Sequence, residues 1–221
     1  MENFFDRVER VWPQGRRDLH WHVLPALATE TVVLGKPYVG ITLTQGLHKV
    51  IPEWMHCTLV HAIGADVDSD PAVSAGVELL VADVTERVKG IEPFTLTFGR
   101  PDIGQAAIEA PGWPGRQHRA LVGHVMAAHR ALWGEAHQLS PSRYPHISLA
   151  YAGEGAEEID VMGLKAQLSD IEGPQTADVY VDRLHLVAQR HDGGSITWQP
   201  LAEVRLKGAD DEAHIDSLLA V

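Results

Sequence analysis

The sequence predicts an α+β fold assembled from two similar halves. Three observations point there. Apolar residues alternate with period two in some segments and recur every three or four residues in others, the marks of strands and helices. The order strand, helix, strand, strand occurs twice along the chain. A four-residue pattern opens each occurrence: His56-Cys57-Thr58-Leu59 and His146-Ile147-Ser148-Leu149, or H-x-[T/S]-L.

Taken in order, residues 2–12 read as an amphipathic helix with Phe4, Phe5, Val8 and Trp12 on one side, stopped by Pro13 and Gly15. Residues 19–25 alternate as a strand, residues 28–40 lean towards helix, and residues 55–63 are a strand. Asp70 caps a helix that Pro71 begins and Gly90 ends, with Val73, Val77, Leu80, Val84 and Val88 in one stripe. Residues 93–99 alternate with Phe94, Leu96 and Phe98 on one face, and a short strand covers 104–110. Residues 116–133 form a helix on Leu121, Val125 and Leu132, followed by Gly134. Residues 146–151 are a strand, and 157–171 a helix closed by Gly173 and Pro174. Residues 178–188 and 195–206 are two strands joined by the turn His191-Asp192-Gly193-Gly194, and an acidic tail or short helix starts near 208. One domain over 1–221 is expected, with repeat halves 19–112 and 113–206.

Net charge is 18 − 30 = −12. Such a surface repels polyphosphate chains, so a long nucleic acid is not expected as partner, whereas a small nucleotide or an RNA end can enter a local pocket. Cys57 is the only cysteine, which excludes an internal disulfide and a multi-cysteine zinc site. The first residues lack a secretory pattern, and no apolar run spans a bilayer, so a cytoplasmic protein away from membranes is expected.

On a strand, residues i and i+2 share a face, about 7 Å apart along it. His56 with Thr58, and His146 with Ser148, then face a polar groove, while Cys57, Leu59, Ile147 and Leu149 face the core. Relating the halves by an approximate two-fold axis brings both pairs to one groove. In-line displacement at phosphorus needs a base for the attacking oxygen and an acid for the leaving one. Imidazoles with an ordinary pKa of about 6.5 can supply both near neutrality. The two hydroxyls can donate to the non-bridging oxygens.

The blocks Pro52-Glu53-Trp54-Met55-His56-Cys57-Thr58-Leu59 and Tyr144-Pro145-His146-Ile147-Ser148-Leu149, spaced 146 − 56 = 90 residues apart, resemble the two-histidine (2H) phosphoesterases, the 2′-5′ RNA ligase-like or cyclic phosphodiesterase proteins. The resemblance in element order runs from about residue 19 to 206. It implies a bilobal α+β fold, with two antiparallel sheets flanking a groove and helices outside. It also implies metal-independent cleavage of a 2′,3′-cyclic phosphate or a 2′-5′ linkage, or the joining reaction. His146 would activate water and His56 would protonate the leaving 3′ oxygen. Several relatives carry basic residues after the second motif, where this chain has Ala150-Tyr151-Ala152-Gly153-Glu154, a departure that argues against a long RNA.

Further candidates are His22, which shares a strand face with His20, and Trp54, Tyr144 and Arg143 beside the motifs, all as substrate-binding residues. Tyr38 and Tyr151 are other aromatics able to stack on a base. Regular alternation points His61 and Tyr151, each a few residues past its motif histidine, away from the groove. His118, His124, His129 and His137 read as surface or boundary residues and Cys57 as a buried structural thiol. A zinc site from His20, His22 and a third histidine finds no companion motif, so neither metal nor cofactor is expected. A groove that only binds a nucleotide is the rival reading; two histidines favour catalysis, because a binder could use Arg or Lys.

Overall fold

The computed structural model describes residues 1–27, 29–173 and 176–208. The expected tail beyond 208 and the Pro174 stop lie outside them. The N-terminal helix α1 is Phe4–Val8, shorter than predicted, and Asn3 caps it by accepting from the amides of Phe5 and Asp6. Strand β1 (Asp18–Val23) follows. The ambiguous stretch divides into α2 (Glu30–Gly35), a 3-10 turn at Lys36–Tyr38 and α3 (Val39–Thr42). Next come a short strand the pattern did not reveal, β2 (Leu47–Lys49), a 3-10 turn at Pro52–Trp54 and β3 (Cys57–Asp66).

Helix α4 (Pro71–Val88) begins as the sequence indicates: the Asp70 carboxylate accepts from the amides of Ala72 and Val73. Its buried stripe, Val73, Leu80, Val84 and Val88, packs on α5 (Gly115–Trp133). Gly76 makes that approach possible, since a Cβ there would sit 2.8 Å from the Trp133 ring. Between the helices lie β4 (Phe94–Phe98), β5 (Asp102–Ile103) and β6 (Ala107–Trp113), the last two replacing one expected strand. After α5 come β7 (Leu139–Pro141), also unforeseen, and β8 (His146–Ala152). The helix expected over 157–171 is a 3-10 turn at Ala156–Glu158 and α6 (Val161–Ser169), capped by Asp160.

The segment expected as one strand over 178–188 is two: β9 (Ala177–Val181) and β10 (Arg183–His191), followed by β11 (Ile196–Arg205). The break matters because it moves the chain from one sheet to the other. The first sheet has the order β11-β10-β1-β3-β7; the second runs β2-β8-β6-β4-β9, with β5 on β6. The strand pairings are antiparallel throughout the described residues. The sheets therefore do not coincide with the sequence halves. The strands after α4 join β8, and β10 and β11 after α6 join β3. Trp21, Leu59, Leu96, Phe98, Leu121, Ile147, Leu149 and Leu186 are fully buried. Among the described residues no helix is long and apolar enough to cross a membrane.

Ile147 lies in this core between His146 and Ser148. Ile147→Ala is expected to cost about 2–5 kcal/mol in urea-induced unfolding; a loss under about 1 kcal/mol would mean that the motif's apolar side is not anchored as described.

Candidate active site

Both motifs open onto one cavity of about 530 Å³, lined by His56, Thr58, His146 and Ser148. The strands that carry them touch beneath it: the His146 backbone amide donates to the buried Cys57 sulfur. Burial pushes that thiol up to about 12, so it stays protonated, in keeping with a structural role.

Each histidine is held in the same way. His56 Nδ1 lies 2.8 Å from the Trp54 carbonyl oxygen and His146 Nδ1 lies 3.1 Å from that of Tyr144, two residues back in both motifs. A carbonyl only accepts, so Nδ1 carries the proton and donates, and Nε2 is left for chemistry. The surroundings then differ. His56 is buried, stacks on His22 at 4.3 Å and meets the Trp198 edge at 4.9 Å. Its pKa falls to about 4, chiefly through burial and further through the nearby His146, against the pull of the Trp54 carbonyl. His146 is half-buried, and its Nε2 lies 3.8 Å from Glu109 Oε1. Glu109 reaches it because β6 pairs with β8 in a register that sets Glu109 opposite Ser148. The other Glu109 oxygen accepts from the Tyr144 hydroxyl at 3.1 Å.

A register fault recurs in both motif strands. Trp21 and His22 pair with Val60 and Thr58, skipping Leu59; Ile108 and Glu109 pair with Ala150 and Ser148, skipping Leu149. The motif leucine is thus the extra residue of a bulge on each strand, and the bulge inverts the alternation beyond it. His61 and Tyr151, expected to face away, therefore line the cavity. His61 Nε2 donates to Asp18 Oδ2 at 2.8 Å, and the Tyr151 phenol is hydrogen-bonded to Ser148. Burial raises the Tyr151 pKa, so it remains a neutral hydroxyl.

Of the expected substrate contacts, Arg143 and Tyr144 line the cavity, and Tyr144 is 46% exposed beside His146. His22 and Trp54 do not line it. His22 is fully buried behind His56 with no hydrogen-bond partner for either ring nitrogen. Trp54 packs edge-on against Trp198. Strand β1 is buried along its length, so His22 is interior, while His20, two residues before it on the same face, reaches the edge of the cavity. Tyr38 is buried away from the groove. His118 and His129 are fully buried, not surface residues; His129 Nε2 accepts from Trp21 Nε1 at 3.0 Å and His118 ring nitrogen Nε2 reaches the Thr58 carbonyl. No group of three or more His, Cys, Asp or Glu side chains among the described residues is placed to hold a metal ion.

No protein-family profile matches the sequence, and no curated protein matches it. Solved structures do. TT0787 of Thermus thermophilus superposes with a TM-score of 0.60 at 16% identity over 87% of this chain and 100% of its own. LigT of E. coli, complexed with 3′-AMP, gives 0.57 at 16% identity over 87% and 99%. The fold is that of LigT. A structure described as a phosphoesterase gives 0.57 at 17% identity over 86% and 99%. The LigT fold provides two antiparallel sheets, and in this chain each sheet contributes one motif to the shared cavity.

His20, His22 and His56 are all held neutral by burial, well below the ordinary imidazole value for the first two. The unfolded chain binds protons that the folded one refuses, so stability is fully present above about pH 6.5 and falls as pH drops towards the folded values. Each such histidine contributes a loss of about 2 kcal/mol between about pH 7 and pH 5. Urea unfolding across that range is expected to show the slope in the wild type and a shallower one in His22→Phe; equal slopes would contradict a neutral buried His22.

Proposed function

We propose that the protein is a 2H phosphoesterase that hydrolyses a 2′,3′-cyclic phosphate or a 2′-5′ phosphodiester of a small nucleotide or RNA end. The observation that carries this is the duplicated constellation: two imidazoles with Nδ1 fixed by a carbonyl and two hydroxyls, all lining one cavity. The LigT fold, and the nucleotides with which LigT has been crystallised, 3′-AMP, NADP+ and ATP, support a site of nucleotide size.

For ring opening, one histidine takes a proton from water, the water oxygen attacks phosphorus in line, and the P–O bond opposite breaks. The other histidine gives its proton to the leaving oxygen, yielding a nucleoside monophosphate. Thr58 and Ser148 donate to the non-bridging oxygens. The environments favour the reverse of the roles that the family resemblance implied. Burial keeps His56 neutral and able to accept a proton, while His146 is half-buried with Glu109 Oε1 3.8 Å from its Nε2. His56 is therefore the proposed base and His146 the proposed acid. Arg143 and Tyr144 would hold the phosphate and the base.

Hydrolysis of a panel of 2′,3′-cyclic nucleotides and 2′-5′ dinucleotides in the presence of a chelator tests the reading. His56→Ala and His146→Ala are each expected to lower turnover by about 10² or more; full activity in either variant would end the proposal. A base with a pKa near 4 also keeps kcat/KM high on the acid side down to about pH 4, because the free enzyme's base sets that limb. Initial rates that fall as pH rises above about 4 would reassign His56 as the acid.

A further inference from the structure

A second cavity, of about 280 Å³, shares no lining residue with the first. It forms where β1 ends and where the chain passes from β9 to β10. Val23, Leu24 and Met55 give it apolar walls, and Trp198 and the exposed Tyr180 give it aromatic ones. Trp198 is the link between the two cavities, because its ring also meets His56 at 4.9 Å. A recess that is mostly apolar and aromatic, with a few charged groups beside it, is the ordinary form of a small-molecule site.

The charged groups here are unbalanced. Arg183 donates through Nε and Nη2 to Asp182 at 3.0 Å and through Nη1 to Glu203 at 3.1 Å, so its charge is neutralised within the protein. His185 Nδ1 lies 3.5 Å from Glu203. Glu30 and Glu53 also line the cavity, and among the described residues neither has a cationic partner. Glu30 is held in place. Its two oxygens accept from the amides of Ala26 at 2.7 Å and Tyr180 at 3.3 Å, and both of those residues line the cavity. Burial, helped by the nearby Asp178, raises the Glu30 pKa, the mark of a carboxylate that has lost water without gaining a cation. A wholly apolar occupant would strip more water from that carboxylate, and an anion would be repelled. An apolar body with a positive end meets both demands.

We propose that this recess is a second binding site, for a small organic cation: a primary amine on an aromatic or aliphatic body, with the body against Trp198 and Met55 and the ammonium at Glu30 and Glu53. The site stands whether or not the first cavity cleaves a phosphodiester.

Phenethylamine, 2-phenylethanol and 3-phenylpropionate carry the same ring with a positive, a neutral and a negative end. Titration of each into the ¹⁵N-labelled protein, followed by NMR, tests the site. The amine is expected to bind about tenfold more tightly than the alcohol and to move the Trp198 Nε1–H signal, while the acid does not saturate. Ala26 is exposed, so Ala26→Trp fills the recess and keeps the amide that Glu30 accepts from. Amine binding is expected to be lost in that variant with the melting temperature unchanged. In Glu30→Gln the preference for amine over alcohol is expected to shrink to less than about threefold. Glu53→Gln, on an exposed turn, gives the same readout if the first glutamine variant does not fold. A general attraction of amines to an acidic protein would survive all three substitutions. No saturable amine binding, equal affinity for amine and alcohol, an unmoved Trp198 signal, binding that persists in Ala26→Trp, or an undiminished preference in both glutamine variants overturns the site.

Discussion

The architecture rests on one constraint: each motif strand must bury alternate side chains while presenting the intervening ones to an open cavity. Cys57 and Leu59 on β3, and Ile147 and Leu149 on β8, are buried almost completely. Their burial fixes the strands against the core and so fixes where the histidines stand. Two carbonyls then finish the placement, since the Trp54 and Tyr144 oxygens set the tautomer and the tilt of the rings two residues on. A functional side chain built this way needs no long-range network to orient it. Local backbone geometry and apolar packing suffice.

The exchange of strands between halves explains why the site is shared. Had each repeat closed its own sheet, each motif would have stood over a separate core. Instead β10 and β11 flank β1 and β3, while β4 and β6 flank β8, so both sheets depend on both halves. The short break at Asp182 between β9 and β10 is the point at which the chain passes from one sheet to the other. The cavity lies where β3 and β8 meet, and the same exchange lets β6 deliver Glu109 to His146.

The long elements and the two motif strands were legible because their signals are local. The Asp70 cap, the Val73–Val88 stripe and the paired H-x-[T/S]-L blocks each sit within a single segment. What escaped depends on register. The bulges at Leu59 and Leu149 involve a skipped partner on another strand, and alternation alone sends His61 and Tyr151 to the wrong face. The equivalence of those two positions in the repeat was the available hint. Glu109 had no local signal, because only strand pairing brings it to the site. His22 failed for the opposite reason: β1 is central in its sheet and buried along its length, so His22 is interior. His118 and His129 follow the same logic, buried where α5 crosses the sheet that holds β1 and β3.

A repeated motif poses a chemical problem, because identical groups titrate alike and an acid/base pair needs them to differ. In this protein the two rings have different neighbours, all of them outside the motif. On one side a stack of rings, His22, His56 and Trp198, excludes water and disfavours a second proton. On the other a carboxylate stands 3.8 Å from the imidazole, and the ring stays half in solvent. The backbone geometry of the two histidines is nearly the same, so the difference comes from surroundings alone. Environments that push paired groups apart are what assign acid and base in a symmetric site. On the proposed reading, duplication supplied the positions, and the unequal packing around them supplied the direction of proton flow.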